Sequence, residues 1–164
     1  MHLHAPFGSI NECGRTPRRS LAAISLGGPH GSMKAALIDR YGSNQVVRLA
    51  EVPRPSFGAA DLLVRVYAAS VNPVDIKTRD GKLRTLLKYR FPLILGNDLA
   101  GVVIDVGAGV TRFKKGDPVY ARVDEDRIGT FAEFAVVREG AAAQKPTNVI
   151  PACTRMLLRM WRCT

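Results

Sequence analysis

A chain of 164 residues with 46% hydrophobic and 23% charged side chains has the composition of one ordinary folded domain. Disorder, a collagen-like fibre and a membrane-spanning helix are excluded, and three cysteines are too few for a disulfide framework. The formal net charge of +10 raises the question of nucleic acid, but half of the excess lies in residues 1–32 and 150–164. The densest basic stretch is Lys77 to Arg90. It reads as a solvated face, with the basic rim of an anionic-cofactor cleft as the alternative.

Residues 1–32 are rich in Gly, Pro, Ser and Arg and lack periodicity. Their one apolar run, Leu21 to Leu26, is too short for a secretory signal. The segment is read as an unstructured leader or a mis-assigned start before Met33, with organelle targeting as the alternative and a cytoplasmic location expected.

From residue 34 onward, short apolar stretches alternate with turn signals, which predicts a β-rich domain. The candidate strands are Lys34–Asp39, Val46–Val52, Leu62–Val71, Ala100–Val106, Pro118–Arg122 and Thr130–Val137. Closing them into a barrel would protect their edges. One helix is predicted over Pro73–Asp80. Asn72 serves as its N-cap, Pro73 takes the first position, Asp75 lies in the first turn and Gly81 follows the end. Gly107-Ala108-Gly109 follows a strand, but the third glycine of a dinucleotide fingerprint is missing and no helix comes next. It reads as a turn.

Residues 150–164 hold two of the three cysteines, the only Trp and no acid. Cys153 and Cys163 match no metal spacing with a nearby His. They read as unpaired thiols in an aberrant tail.

Taken in order, Lys34–Asp39, Leu62-Leu63-Val64-Arg65-Val66, Ala69-Ser70-Val71-Asn72-Pro73-Val74-Asp75, Pro92–Val103, Phe113–Tyr120 and Gly129–Phe134 carry a resemblance. Residues 33–149 resemble the N-terminal catalytic domain of the medium-chain dehydrogenase/reductases, nearest their zinc-free quinone oxidoreductase and enone reductase branch. The resemblance implies a mainly β fold with short helices, a GroES-like, partly open β-barrel. It also implies NADPH as cofactor and a quinone or an activated alkene or carbonyl as substrate, reduced by hydride transfer. Membrane and nucleic acid are not expected partners.

Zinc-dependent relatives carry Cys where Asn72 stands, His where Asn97 stands, and a four-Cys lobe where Tyr120–Gly129 has none. Zinc prefers thiolate and imidazole to a neutral amide, so no metal is expected. By resemblance, Asn72 would face the nicotinamide–substrate cleft and offer amide hydrogen bonds, or act as a helix cap alone. Asp75 and Lys77 would orient polar groups in the cleft or form a surface ion pair. Catalytic roles thus fall to Asn72 and Asp75, and cofactor contacts to Asn72 and Lys77. Asn97-Asp98 reads as a cleft pair or a buried hydrogen-bonded turn. Tyr67 and Tyr89 are available as proton donors or as packing residues.

The Rossmann domain that follows in this family has no counterpart in the motifs of this chain. The expectation is therefore a catalytic-domain fragment, truncated or frameshifted and inactive by itself. It would self-associate through the face that a cofactor domain would cover. The alternative is a non-catalytic barrel, an interaction module or a non-functional product.

Overall fold

The computed structural model describes residues 31–146, so the predicted leader and the Cys153/Cys163 tail lie outside the described residues, apart from the last residues of the leader. Eight strands and one α-helix follow in order. The strands are β1 (Ser32–Ile38), β2 (Val47–Pro53), β3 (Asp61–Ser70), β4 (Leu93–Ile94), β5 (Asp98–Val106), β6 (Pro118–Arg122), β7 (Phe134–Arg138) and β8 (Ala142–Gln144). The helix α1 (Pro73–Arg79) sits between β3 and β4.

All pairings are antiparallel and fall into two sheets, β2-β1-β4 and β7-β3-β5-β6-β8. The sheets do not close into a single barrel; they are stitched by the segment ahead of β7. Ala36 donates its N–H to Phe131 O at 2.7 Å, Glu133 donates to Lys34 O at 3.0 Å, and Val66 donates to Glu133 O at 2.9 Å. The single strand expected over Thr130–Val137 is therefore corrected. Its first half crosses from β1 to the larger sheet, and only from Phe134 does it run as a strand in that sheet.

The larger core gathers Leu62 and Val64 of β3, Leu99 and Val103 of β5, Val119 and Ala121 of β6, Ala135 and Val137 of β7, and Phe113 from the connecting loop. A smaller cluster forms under the first sheet from Ile38, Leu93 and Leu95, backed by Tyr41, Tyr89 and Phe131. Burial of these side chains is the main favourable contribution to the fold. The first four residues of β3 are buried on both faces. β3 lies between β7 and β5, and the stitching segment meets it at Val66.

α1 ends as its sequence indicated. Gly81 adopts φ +76°, its N–H reaches Thr78 O, and the Lys82 N–H reaches Lys77 O. This double closure satisfies carbonyls that the helix end would otherwise leave bare, and the positive φ is cheap only for glycine. Gly107-Ala108-Gly109 is a turn, closed by Val110 N–H donating to Gly107 O at 3.0 Å. No helix follows it.

Candidate functional site

The C-terminal end of β3, the start of α1 and the start of β5 meet at one point. The β3–β5 register sets Ser70 opposite Asp98, and the β5–β6 register sets Asp98 opposite Arg122. Directly opposite residues in an antiparallel ladder project to the same face, so Ser70, Asp98 and Arg122 share one. α1 leaves β3 after two residues and lowers Asn72 and Asp75 onto that face.

The result is a buried polar network. Asn72 Nδ2 donates to Asp98 Oδ2 at 2.6 Å, and Ser70 Oγ donates to the same oxygen at 3.2 Å. The Asn72 backbone N–H donates to Asp75 Oδ2 at 2.6 Å, and Asn97 Nδ2 donates to Asp75 Oδ1 at 2.5 Å. Ser70, Asp75, Asn97 and Asp98 are all buried, while Asn72 is half-buried. Two atoms of this region have no hydrogen-bond partner, Asp98 Oδ1 and the hydroxyl of the fully buried Thr130. Thr130 packs beside Gly96 at the entry to β5.

Burial pushes the Asp75 carboxyl above the usual carboxylate range, and the nearby Asp98 adds to that; hydrogen bonds from Asn72 and Asn97, and the Arg122 charge, pull the other way without winning. Displaced pKa values of buried carboxyls cluster at functional sites, which makes Asp75 a candidate.

Each candidate residue now has a place. Asn72 is the N-cap, and its side-chain N–H group is committed inward to Asp98. The donors expected to point into a cleft are therefore already in use in part, because the buried Asp98 carboxylate competes for them. Asp75 is buried rather than on the surface, and among the described residues Lys77 makes no ion pair. The alternative of an Asp75–Lys77 surface pair is corrected: Asp75 turns back to cap the helix while Lys77 stays exposed. Asn97 and Asp98 are both buried and hydrogen-bonded. Sequence reasoning named that pair but missed Ser70 and Thr130; a hydroxyl two residues before the cap was the available signal for Ser70.

Tyr89 is half-buried against the smaller core, and its hydroxyl donates to Glu125 O at 2.8 Å. Burial, aided by nearby negative groups, pushes its pKa up to about 12, which makes it a poor acid near neutrality. Tyr67 is 59% exposed. Among the described residues no group of three or more His, Cys, Asp or Glu could hold a metal ion. Asn72 and Asn97, where zinc-dependent relatives carry ligands, are both engaged in hydrogen bonds to carboxylates.

The described residues thus form a two-sheet β domain whose single α-helix is capped at the end of its longest strand, over a buried amide–carboxylate network. Residues 58–147 match the family model described as the alcohol dehydrogenase GroES-like domain, and the chain belongs to that family. It is 36% identical over 146 residues to the NAD(P)H oxidoreductase RTN4IP1, mitochondrial, of Bos taurus, covering 79% of this chain and 37% of that protein. It is 38% identical over 124 residues to the NADPH-dependent alkenal/one oxidoreductase, chloroplastic, of Arabidopsis thaliana, covering 71% of this chain and 32% of that protein. The quinone oxidoreductase from Coxiella burnetii superposes with a TM-score of 0.67 at 32% identity, over 74% of this chain and 39% of that one. The chain thus spans well under half the length of the relatives it matches, and corresponds to their N-terminal part.

Proposed function

We propose that this chain is the substrate-side domain of an NADPH-dependent oxidoreductase that reduces quinones or activated alkenes and carbonyls by hydride transfer. The observation that carries this reading is the network joining Asn72, Asp75, Asn97 and Asp98 at the end of β3, in a member of a family whose matched relatives are named as oxidoreductases of this kind.

NADPH, when bound, supplies the hydride. The work of this domain is to position and to exclude water. Asn72 is held by Asp98 and by its own cap contact with Asp75, so the edge it turns to the cleft is fixed before any ligand arrives. Asp75 and Asp98 support that edge from beneath. Val71 and Ile76 flank the site as exposed apolar side chains and supply the surface against which a flat apolar ring would pack. Lys77 is the residue proposed to meet an anionic group of the cofactor, a role supported by its being exposed and outside any ion pair among the described residues. The described residues contain no glycine-rich loop opening a helix. The pyrophosphate must therefore be held by protein outside them, and the described domain by itself is inactive on this reading.

The same exposed apolar face drives self-association, with an elution volume in sizing chromatography that falls as concentration rises. For the compartment, the reading keeps the cytoplasm; the organelle alternative draws support from the mitochondrial and chloroplastic names of the relatives. Localising a tagged full chain separates the two.

The deciding experiment is an NADPH titration of the purified chain by fluorescence, followed by a quinone-reduction assay with and without an added cofactor domain from a relative. Reduction that appears only with the added domain, and is lost in Asn72→Ala, supports the proposal. An Asn72→Ala chain as active as the parent in that assay overturns it in favour of a non-catalytic interaction module.

A further inference from the structure

The segment between α1 and β4 has a use that the site does not absorb. Two consecutive turns carry it: Arg84 N–H donates to Gly81 O at 3.2 Å, Leu86 N–H to Leu83 O at 3.0 Å, and Leu87 N–H to Leu83 O at 2.7 Å. Leu83 and Leu87 are half-buried, which leaves Leu86 pointing out at 76% exposure. Arg84, Lys88 and Arg90 flank it along the chain, all exposed and outside any ion pair among the described residues. Lys77 and Lys82 extend the same charge; Lys82 alone approaches an acid, Asp80, at 3.8 Å. The acids that face this segment from other elements, through Tyr89, are Glu125, Asp126 and Asp75, and the Glu125 backbone carbonyl accepts the Tyr89 hydroxyl. The balance is strongly positive, around one protruding aliphatic side chain.

That combination discriminates between polyanions. Single-stranded nucleic acid is gripped by stacking bases on open aromatic faces. Here the aromatics are engaged: Tyr89 is half-buried and hydrogen-bonded, and Phe91, although 39% exposed, packs edge-on against Tyr41 with ring centroids 4.9 Å apart. What is offered instead is an aliphatic tip with lysine and arginine around it, the pairing that suits an interface of anionic headgroups over acyl chains. We infer that the Lys82–Phe91 turn docks this chain on an anionic lipid surface, with Leu86 entering the headgroup–acyl boundary and Arg84, Lys88 and Arg90 on the headgroup charge. Among the described residues no helix is long and apolar enough to cross a membrane, and none is needed, since the chain would lie on the surface rather than span it. The inference runs against the expectation that no membrane is a partner. The inference stands on this patch and does not depend on the reductase reading.

The test is co-sedimentation of the full chain with vesicles of phosphatidylcholine, with and without phosphatidylserine, at low and high salt. Binding is expected only with phosphatidylserine, and weaker at high salt. Each of Arg84→Gln and Lys88→Gln is expected to weaken it about fivefold, and Leu86→Ser about tenfold. These side chains are exposed, and unchanged urea midpoints will show that the variants remain folded. Equal binding to neutral vesicles overturns the inference. So does full binding by the triple variant, which would assign the attraction to another part of this basic chain. Stronger retention on random-sequence single-stranded RNA than on phosphatidylserine vesicles overturns it in favour of nucleic acid.

Discussion

Carboxylates are buried at both ends of β3, Asp61 at one and Asp75 and Asp98 at the other, and the two ends solve the problem in opposite ways. At the N-terminal end, Asp61 accepts from Arg127 Nη1 through both oxygens at 2.8 Å and from the Gly58 N–H at 2.8 Å. Burial there pushes the carboxyl up, but the Gly58 N–H and the Arg127 charge more than offset it, and its pKa lies below the usual range. At the C-terminal end, Asp75 accepts hydrogen bonds only from amides, and burial keeps it above that range despite the Arg122 charge. A groove of about 650 Å³ opens beside Asp61, lined by Arg127, Arg138, Asp124 and Glu139. Its charges are spent on each other: Arg138 bonds Asp124 at 2.5 Å and Asp126 at 2.7 Å, and Glu139 accepts from the Thr111 and Arg112 N–H groups. The charged groups of this hollow are thus paired, whereas the amide network at the other end is the one we propose for chemistry. A cation beside a buried carboxylate fixes its charge, whereas neutral donors leave it adjustable.

The strongest challenge to this contrast is at Gly107, whose N–H donates to Asp61 O at 2.9 Å. A Cβ there would run into the backbone carbonyls of Gly58 and Ala59. Gly107→Ala is expected to cost about 3 kcal/mol in urea denaturation. Asp61→Ala comes next, at about 2 kcal/mol, because it leaves the Gly58 N–H and Arg127 without their partner. If the Asp61 end is structural, neither change alters ligand affinity beyond the loss of folded protein. Asp98→Ala is expected to cost about 1 kcal/mol of stability, since it frees Asn72 Nδ2 and Ser70 Oγ but also removes an unpartnered buried oxygen. Its larger effect falls on ligand binding measured with an added cofactor domain; unchanged binding would remove the contrast.

The smallest effect is on pH dependence. Asp75 has a raised pKa in the fold, so its protonated form is the better tolerated one. Its contribution is fully present below the unfolded value of about 4 and is lost as pH rises through the higher folded value. Asp61 runs the other way: its contribution is present above about pH 4 and lost as pH falls through its lowered value. Urea midpoints of Asp75→Asn should therefore lack a decline just above pH 4 that the parent chain shows, and keep the acid-side loss due to Asp61.

Local features of the site were readable from sequence because their causes are local. Asn72, Pro73, Asp75 and Gly81 mark a helix whose caps involve near neighbours along the chain, and the structure starts and ends it at those residues. Strands long enough to show a pattern were also legible. β4 and β8, of two and three residues, were not, since so short a piece has no periodicity to display. The Asp61–Arg127 pair spans 66 positions and nothing in the sequence connects its members.

By itself, then, the sequence determined the strand-rich class, the capped helix, the turn at Gly107 and the family to which the chain belongs. Only the tertiary structure decided which carboxylates are buried, and beside what. The β3–β5 register, with irregularities at Leu63/Val64 and Val66/Ala68, brings Asp98 level with Ser70 and under Asn72. A displacement of one residue would turn Asp98 to the other face and dissolve the site, because side chains along a strand alternate sides.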